Sequence, residues 1–153
     1  MKIEFLKLVV IASLVFAFVG CKDDSELKNL KVTPVKKLYE PNNGKDIVLN
    51  GSASLLFEWE PAKAEDSGMI LYEIVFDKVG GDFSNPVFTL LSDKNGLLNS
   101  QDISHKQLNK IAAMVGIEPA EKGTFKWTVF ASKGINPVKA EEERNLTDRK
   151  SVV

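Results

Sequence analysis

Cysteine and histidine are almost absent from this sequence, and the single copy of each limits its chemistry. Of the 153 residues, one is cysteine, Cys21, and one is histidine, His105. With one cysteine no disulfide forms within the chain, so the fold depends on its hydrophobic core. Hydrolase triads and histidine-bearing zinc sites need partner groups that the sequence does not offer. We therefore predict a surface position for His105, no catalytic residue and no metal site.

Long apolar runs, an excess of charge of one sign and a phosphate-binding loop are missing as well. Residues 8–19 form an apolar run interrupted only by Ser13, whereas a membrane-spanning helix needs about 18 or more such residues. The 20 basic and 21 acidic side chains leave a net charge of −1, which predicts no nucleic-acid surface. Gly80 and Gly81 stand where a hairpin turn is expected and not in a nucleotide-binding motif. No cofactor is expected.

The first 20 residues have the three parts of a secretory signal. Lys2 and Lys7 give a weakly positive head, residues 8–19 give a short apolar segment, and Gly20 is a small residue before the cleavage position. This order is typical of signal peptides, and the run lacks the polar face of an amphipathic core helix. We predict that residues 1–20 are a signal peptide.

Cys21 is the candidate lipid-attachment site. Residues 18–21 read Phe-Val-Gly-Cys, which resembles a relaxed lipobox in which Gly20 and Cys21 hold the most important positions. Each buried CH₂ contributes about 0.8 kcal/mol, so one acyl chain anchors marginally and two or three anchor stably. We predict a lipoprotein held in the membrane by palmitate-type chains on Cys21. A signal peptide that is cleaved without lipid attachment is the alternative.

The segment after Cys21 is short and charged. Residues 22–26 read Lys-Asp-Asp-Ser-Glu, which fits a solvated tether and also resembles the export signal of surface-displayed lipoproteins. Because residues 21–33 contain few apolar side chains, we predict a flexible tether there. Residues 34–153 are then the folded part, long enough for one domain with a core and too short for two.

Alternating apolar and polar side chains predict several short strands in that domain. The clearest segments are 55–59, 70–76 and 125–131, and shorter candidates lie at 45–49 and 86–91. Turn residues separate them, among them Asn50-Gly51 and residues 93–96. The charged residues 138–150 are expected to form a final edge strand. The pattern predicts an all-β fold, an immunoglobulin- or fibronectin III-like β-sandwich.

One short helix is predicted within the strands. Ser104 and Gln107 fit a capping box, and Gly116 suits the C′ position that ends a helix. An apolar stripe with helical spacing lies between them: Leu108, Ile111, Ala112 and Val115. We expect the helix to lie over one end or edge of the strands, with Lys106 and Lys110 outward.

Acidic pairs are the feature closest to an active site, because a glycosidase needs two carboxylates. Glu58 and Glu60 point away from Trp59 on a predicted strand, and this alternation already explains them as a solvated face. Residues 141–143 are three consecutive glutamates that fit a solvated edge. We assign a catalytic role to none of them.

Aromatic side chains are the other candidates, because they stack on sugar rings. Trp59 and Trp127 are in phase with the apolar side of their strands, as is Tyr72, so we interpret all three as core residues. Tyr39 is the aromatic residue expected to be exposed, and a single aromatic side chain does not make a binding platform. The ligand-binding residues are therefore unknown at this point.

The order and spacing of these segments resemble the amino-terminal immunoglobulin-like domain of the SusE/SusF family. The resemblance covers residues 33–150 and rests on segments 38–41 (LYEP), 47–49 (IVL), 56–62 (LFEWEPA), 72–76 (YEIVF), 83–86 (FSNP), 108–112 (LNKIA) and 125–129 (FKWTV). It implies a surface-exposed outer-membrane lipoprotein of a starch- or glycan-utilisation system. Later domains bind sugar in that family, and we expect them to be absent from a chain that ends at Val153.

Two functions remain open. The preferred one is a non-enzymatic outer-membrane lipoprotein that acts as a spacer or assembly module, with the membrane and the proteins of a glycan-uptake complex as partners. The alternative is a lipoprotein that binds an oligosaccharide, starch or another glycan, by itself. An enzyme ranks last, because the sequence shows no converging polar groups.

Overall fold

Two β-sheets packed face to face form the part of the chain that the computed structural model describes, residues 31–49, 52–118 and 121–149. The prediction of an all-β sandwich with one short helix is confirmed. The strands in these ranges are β1 (Leu38–Glu40), β2 (Lys45–Val48), β3 (Ser54–Trp59), β4 (Leu71–Lys78), β5 (Phe88–Leu91), β6 (Ser100–Ser104), β7 (Lys122–Lys133), β8 (Asn136–Lys139) and β9 (Arg144–Arg149). The regular helix is α1 (His105–Met114), and Asp93–Gly96 form a single irregular helical turn in which Lys94 and Asn95 have positive φ.

The two sheets differ in size. The small sheet has the order β1-β3-β6, and the large sheet has the order β2-β9-β7-β4-β5, with β8 also paired to β7. All pairs are antiparallel except β2 with β9, which is parallel. Strand β7 is the longest strand and pairs with β4 along most of its length. It is therefore the central strand of the large sheet.

Aromatic rings from both sheets fill the space between them. Phe57 of β3 and Trp127 of β7 meet edge to face, with ring centroids 4.8 Å apart. Phe76 of β4 packs against Phe57 at 5.7 Å and against Phe125 at 6.1 Å. All four rings are fully buried, and edge-to-face pairs contribute about 0.5–1.5 kcal/mol beyond their buried area. The inward phase predicted for residues 55–59, 70–76 and 125–131 is confirmed.

The outer face of the large sheet contains a second buried region that alternation did not predict. Val75, Asp77 and Thr128 lie on this face, yet each is at most 3% exposed. The loop after β4 returns to Asp77, whose carboxylate accepts the Phe83 N–H, and the Phe83 ring is 5% exposed. Gly81 makes this return possible, because a Cβ there would lie 2.1 Å from the Asp77 carboxylate. Thr128 Oγ1 donates to Glu142 O, in the segment before β9.

Strand β9 corrects the prediction of a charged edge strand over residues 138–150. It lies inside the large sheet, parallel to β2 on one side and antiparallel to β7 on the other. Leu146 and Asp148 point inward and are fully buried. The edge strand on this side of the large sheet is β2. Its exposed Lys45 and Asp46 are the kind of charged residues that discourage pairing with the edge of another sheet.

The predicted helix is confirmed as α1, with its stripe facing the core. Ser104 Oγ accepts a hydrogen bond from the Gln107 N–H at 3.2 Å, and Gly116 ends the helix with φ of +93°. Leu108, Ile111 and Ala112 are fully buried, and α1 packs against β6 and β7. The helix therefore covers one end of the core where the two sheets meet.

Candidate functional site

The predicted lipid-attachment site, Cys21, lies outside the described residues, as do the signal peptide (1–20) and residues 21–30 of the tether. These assignments stay predictions. Within the described ranges, no helix is long and apolar enough to cross a membrane. The last three residues of the predicted tether, 31–33, form backbone hydrogen bonds with residues 63–65. The chain is therefore held by the domain from residue 31 onward.

His105 lies in the first turn of α1, as its sequence position suggested, and is half-buried where a surface position was predicted. Its backbone N–H donates to Ala53 O at 2.8 Å, which fixes the start of the helix to the residue just before β3. Over the ranges that the structure covers, no group of three or more histidine, cysteine, aspartate or glutamate side chains could hold a metal ion.

Most of the aromatic candidates belong to the core. Trp59 and Trp127 are fully buried, which confirms their interpretation as core residues. Tyr72 is also buried, its hydroxyl oxygen accepts the Ala62 N–H at 3.0 Å, and burial raises the pKa of that phenol. Tyr39 is 45% exposed, as predicted. Among the described residues, the aromatic side chains thus do not form an exposed stacking platform.

Arg144 at the start of β9 clasps the two sheets together. Its Nη1 donates to Pro41 O at 2.8 Å and to Tyr39 O at 3.1 Å, and its Nη2 donates to Leu38 O. Glu142 Oε2 accepts the Leu38 N–H at 3.0 Å and lies 3.6 Å from Arg144 Nη2. One guanidinium thus satisfies three carbonyl groups of the chain around β1, a task suited to its fork of fixed donors.

The clasp adds a structural role to the predicted solvated edge of residues 141–143. Glu141 and Glu143 are exposed, as predicted, but Glu143 also bonds to two lysines, and the half-buried Glu142 bonds to β1. Little in the sequence signals these roles, because both glutamates stand in a charged run. Lys139 is only four positions from Glu143, but Lys126 is 17 positions away. Leu38 lies 104 positions before Glu142.

Replacing Arg144 by alanine should lower the free energy of unfolding by about 2–3 kcal/mol, because hydrogen bonds to charged donors are lost and carbonyl groups lose their partner. Arg144→Lys should recover less than half of that loss, since an ammonium cannot reproduce the planar fork. Urea unfolding measures both values. The matched control is Lys122→Ala, which removes the exposed Lys122–Asp46 pair (2.5 Å) and should cost less than about 1 kcal/mol. Equal losses for Arg144→Ala and Lys122→Ala would contradict the clasp.

A second polar cluster holds the Phe83 loop on the outer face. Lys126 Nζ lies 4.5 Å and Lys139 Nζ lies 4.8 Å from the Phe83 ring centroid. Both ammonium groups bond to Glu143, at 2.8 and 2.9 Å. Asp77 completes the cluster by accepting the Phe83 N–H at 3.0 Å. Cation–π contacts of this kind contribute about 0.5–1 kcal/mol at exposed sites and more when water is excluded.

Glu143 should make stability depend on pH in the acidic range. Hydrogen bonds from Lys126 and then Lys139 hold the pKa of this carboxyl below its usual 4.5. A carboxyl with a lowered folded-state pKa stabilises fully above its unfolded value and loses that contribution as pH falls through the folded value. Glu143→Gln should therefore flatten the decline of stability below about pH 4.5, as measured by urea unfolding across pH. The exposed Glu141→Gln variant is the control, and identical pH profiles for both variants would refute the role.

A groove beside α1 is the concave feature nearest to a ligand site. It has a volume of about 480 Å³ and is lined by Phe88, Ser104, Lys106, Gln107, Lys110 and Met114. Lys106 and Lys110 are exposed, as predicted, and stand one helical turn apart on its rim. The groove therefore combines an aromatic edge with hydroxyl, amide and ammonium donors.

The chain enters the domain at the end of the large sheet that lies opposite the Phe83 loop. Val32 forms a β-bridge with Ala64. In the adjoining loop Asp66 bonds to Lys133 at the end of β7, and this ammonium group lowers the pKa of the Asp66 carboxyl. A shallow groove of about 440 Å³ lies along the bridge.

A comparison with known protein families identifies the family of this chain. A family model described as SusE outer membrane protein matches residues 23–130, a range from just after Cys21 into β7. Neither a curated protein nor a solved structure matches the chain. The matched range contains the resemblance described for segments 38–41 to 125–129, which is therefore confirmed. The chain belongs to the SusE outer membrane protein family, which places it at the outer membrane and associates it with the Sus glycan-utilisation system.

Proposed function

We propose that this protein is a non-enzymatic lipoprotein that is anchored by Cys21, faces the outside of the cell, and acts as a spacer or assembly module beside a glycan-uptake complex. The observation that carries the proposal is the use of its aromatic residues. Trp59, Trp127 and Tyr72, which could have stacked on sugar rings, fill the space between the sheets. These rings therefore stiffen the domain, which suits a module that holds its neighbours at a fixed distance.

The polar chemistry supports the same function. Glu142, Glu143 and Asp77 are carboxylates that could serve as acid or base, and each bonds to structural partners. Their contacts fix the sheets and the Phe83 loop and do not converge on an open groove. The proposed role is accordingly mechanical, and partners would recognise the outside of a stiff sandwich.

Surface labelling of intact cells tests the exposed location. A membrane-impermeant amine reagent should label this protein before lysis, because exposed lysines such as Lys63, Lys78 and Lys110 are spread over the domain. A periplasmic protein that is labelled only after lysis is the control. Labelling of this protein only after lysis would overturn the proposed surface exposure.

Binding of an oligosaccharide is the second candidate, and the groove beside α1 favours it. An aromatic edge with a few polar groups is the usual composition of a small-molecule site, and Phe88 supplies the aromatic part here. Titration of the protein with starch-derived oligosaccharides should then release heat, and Phe88→Ala should abolish the signal while Tyr39→Ala preserves it. No heat at millimolar sugar would remove this candidate.

A further inference from the structure

We propose that the end of the sandwich formed by residues 63–69 and 134–135, here called the basal end, rests on the lipid surface and inserts Met69 and Ile135 into it. The inference rests on the proposed lipid anchor at Cys21 and adds an orientation to it. It states which end of the domain meets the bilayer and which side chains make the contact.

The path of the chain selects this end. Thr33 N–H donates to Lys63 O at 2.8 Å, Glu65 N–H donates to Lys31 O at 3.0 Å, and Lys63 N–H donates to Thr33 Oγ1 at 2.8 Å. The segment that leads back to Cys21 is therefore fixed to the domain beside residue 64. Ten residue steps separate Cys21 from Lys31, which span at most about 33–36 Å. Lys31, bonded to the loop of the basal end, therefore lies within that distance of the anchor.

Strand geometry brings the two apolar side chains to the same end. Leu71 at the start of β4 pairs with Ser132 near the end of β7 in antiparallel register. Met69 precedes β4 and Ile135 follows β7, so both extend past this pair in the same direction. Asp66 and Lys133 bond to each other across the two loops. The two loops are thus neighbours on the same surface.

The exposure of Met69 and Ile135 is unusual for this domain. Met69 is 77% exposed and Ile135 is 81% exposed, the two highest values among the large apolar side chains of the described ranges. The other large apolar residues in those ranges reach at most 61%. Single exposed apolar side chains are common on protein surfaces, but two at one end, next to the entry of the anchored segment, fit insertion into a bilayer.

The charges of the basal end agree with shallow insertion. Lys31 and Lys63 are exposed beside the bridge, where their ammonium groups can meet lipid phosphates while the apolar tips enter the headgroup region. Glu65 and Asp66 lie on the same loop, so the surface is mixed and not strongly basic. Attraction to anionic lipid alone would not hold it, and the apolar tips carry the contact.

Environment-sensitive fluorescence on the full lipidated chain tests the orientation. Met69→Cys and Ile135→Cys are each labelled with a nitrobenzoxadiazole group, and the protein is reconstituted into vesicles of phosphatidylethanolamine and phosphatidylglycerol. Acylated Cys21 carries no free thiol, so the engineered cysteine is the reactive one. Val79→Cys is the matched control, because Val79 is 60% exposed and follows β4 at the opposite end of the strand.

The expected result is a blue-shifted, brighter emission at positions 69 and 135, quenched by brominated lipid, with an unshifted emission at position 79. Flotation of the same sample with the vesicles reports the anchor separately. Flotation with equal emission at all three positions would overturn the basal contact and leave the anchor standing. Failure to float, with no lipid mass on Cys21, would overturn the anchor and the contact together.

Discussion

Replacing Cys21 by serine should move the protein from the membrane fraction to the soluble fraction. A hydroxyl group in place of the thiol cannot take the diacylglycerol thioether, so the acyl chains are lost. At about 0.8 kcal/mol for each buried CH₂, two long chains contribute more than 20 kcal/mol of membrane affinity. Release should therefore be nearly complete when the leader is removed as well, because an uncleaved leader keeps its apolar segment, residues 8–19.

Fractionation followed by mass spectrometry measures this effect. A companion variant, in which residues 1–21 are replaced by a signal peptide that is cleaved without lipid attachment, removes the ambiguity of an uncleaved leader. Ser25→Ala is the control in the same segment and should stay in the membrane. A companion variant that remains bound to membrane after an alkaline wash would contradict anchoring through Cys21.

Trp127→Ala should have the largest effect on folding. Its ring is fully buried and lies 4.8 Å from Phe57, so it is a direct contact between the two sheets. Truncation of a buried tryptophan costs about 3–5 kcal/mol, through lost apolar burial and the cavity left behind. Small domains are stable by about 5–15 kcal/mol in total. We expect a domain that is marginally folded at 37 °C or unfolded, as measured by urea unfolding and near-ultraviolet circular dichroism.

Two further variants separate the ring from its polar atom. The indole Nε1 of Trp127 is buried without a hydrogen-bond partner in the structure, and such a group costs about 1–3 kcal/mol. Trp127→Phe keeps a ring against Phe57 and removes that group, so it should lose less than about 2 kcal/mol. Tyr39→Ala, at an exposed ring, should change stability by about 0.5 kcal/mol or less. A loss at Trp127→Phe equal to that at Trp127→Ala would show that ring contact is not the cause.

The parts of the fold that could be predicted are those controlled by local pattern. Phe57, Ile74 and Trp127 are inward because alternation decides which face of a strand is buried. The helix was also predictable, because Ser104, Gln107 and Gly116 are capping residues that act over a few positions. These signals are short-range, and one sequence is enough to see them.

The parts that escaped prediction depend on distant partners. Strand β6 has a single fully buried apolar residue, Ile103, and forms because β3 offers a free edge. Strand β9 looked like an edge because its charges dominate, and only the position of β2 places it inside the sheet. The roles of Arg144 and Phe83 follow from contacts across loops that no periodicity reveals.

The parallel pairing of β2 with β9 has a consequence for how the protein reaches its location. Strand β2 pairs with β9, which follows it by about 100 residues. Next to this pair, the Asn145 N–H donates to Asn43 Oδ1 although 102 positions separate the two residues. Contacts of such high sequence separation form slowly, because the entropy of closing the long loop is lost before the contact stabilises the chain. The large sheet therefore cannot complete this pairing until both β2 and β9 are available. If the chain is exported unfolded, as the predicted signal peptide implies, these two strands would pair only after both have crossed the membrane.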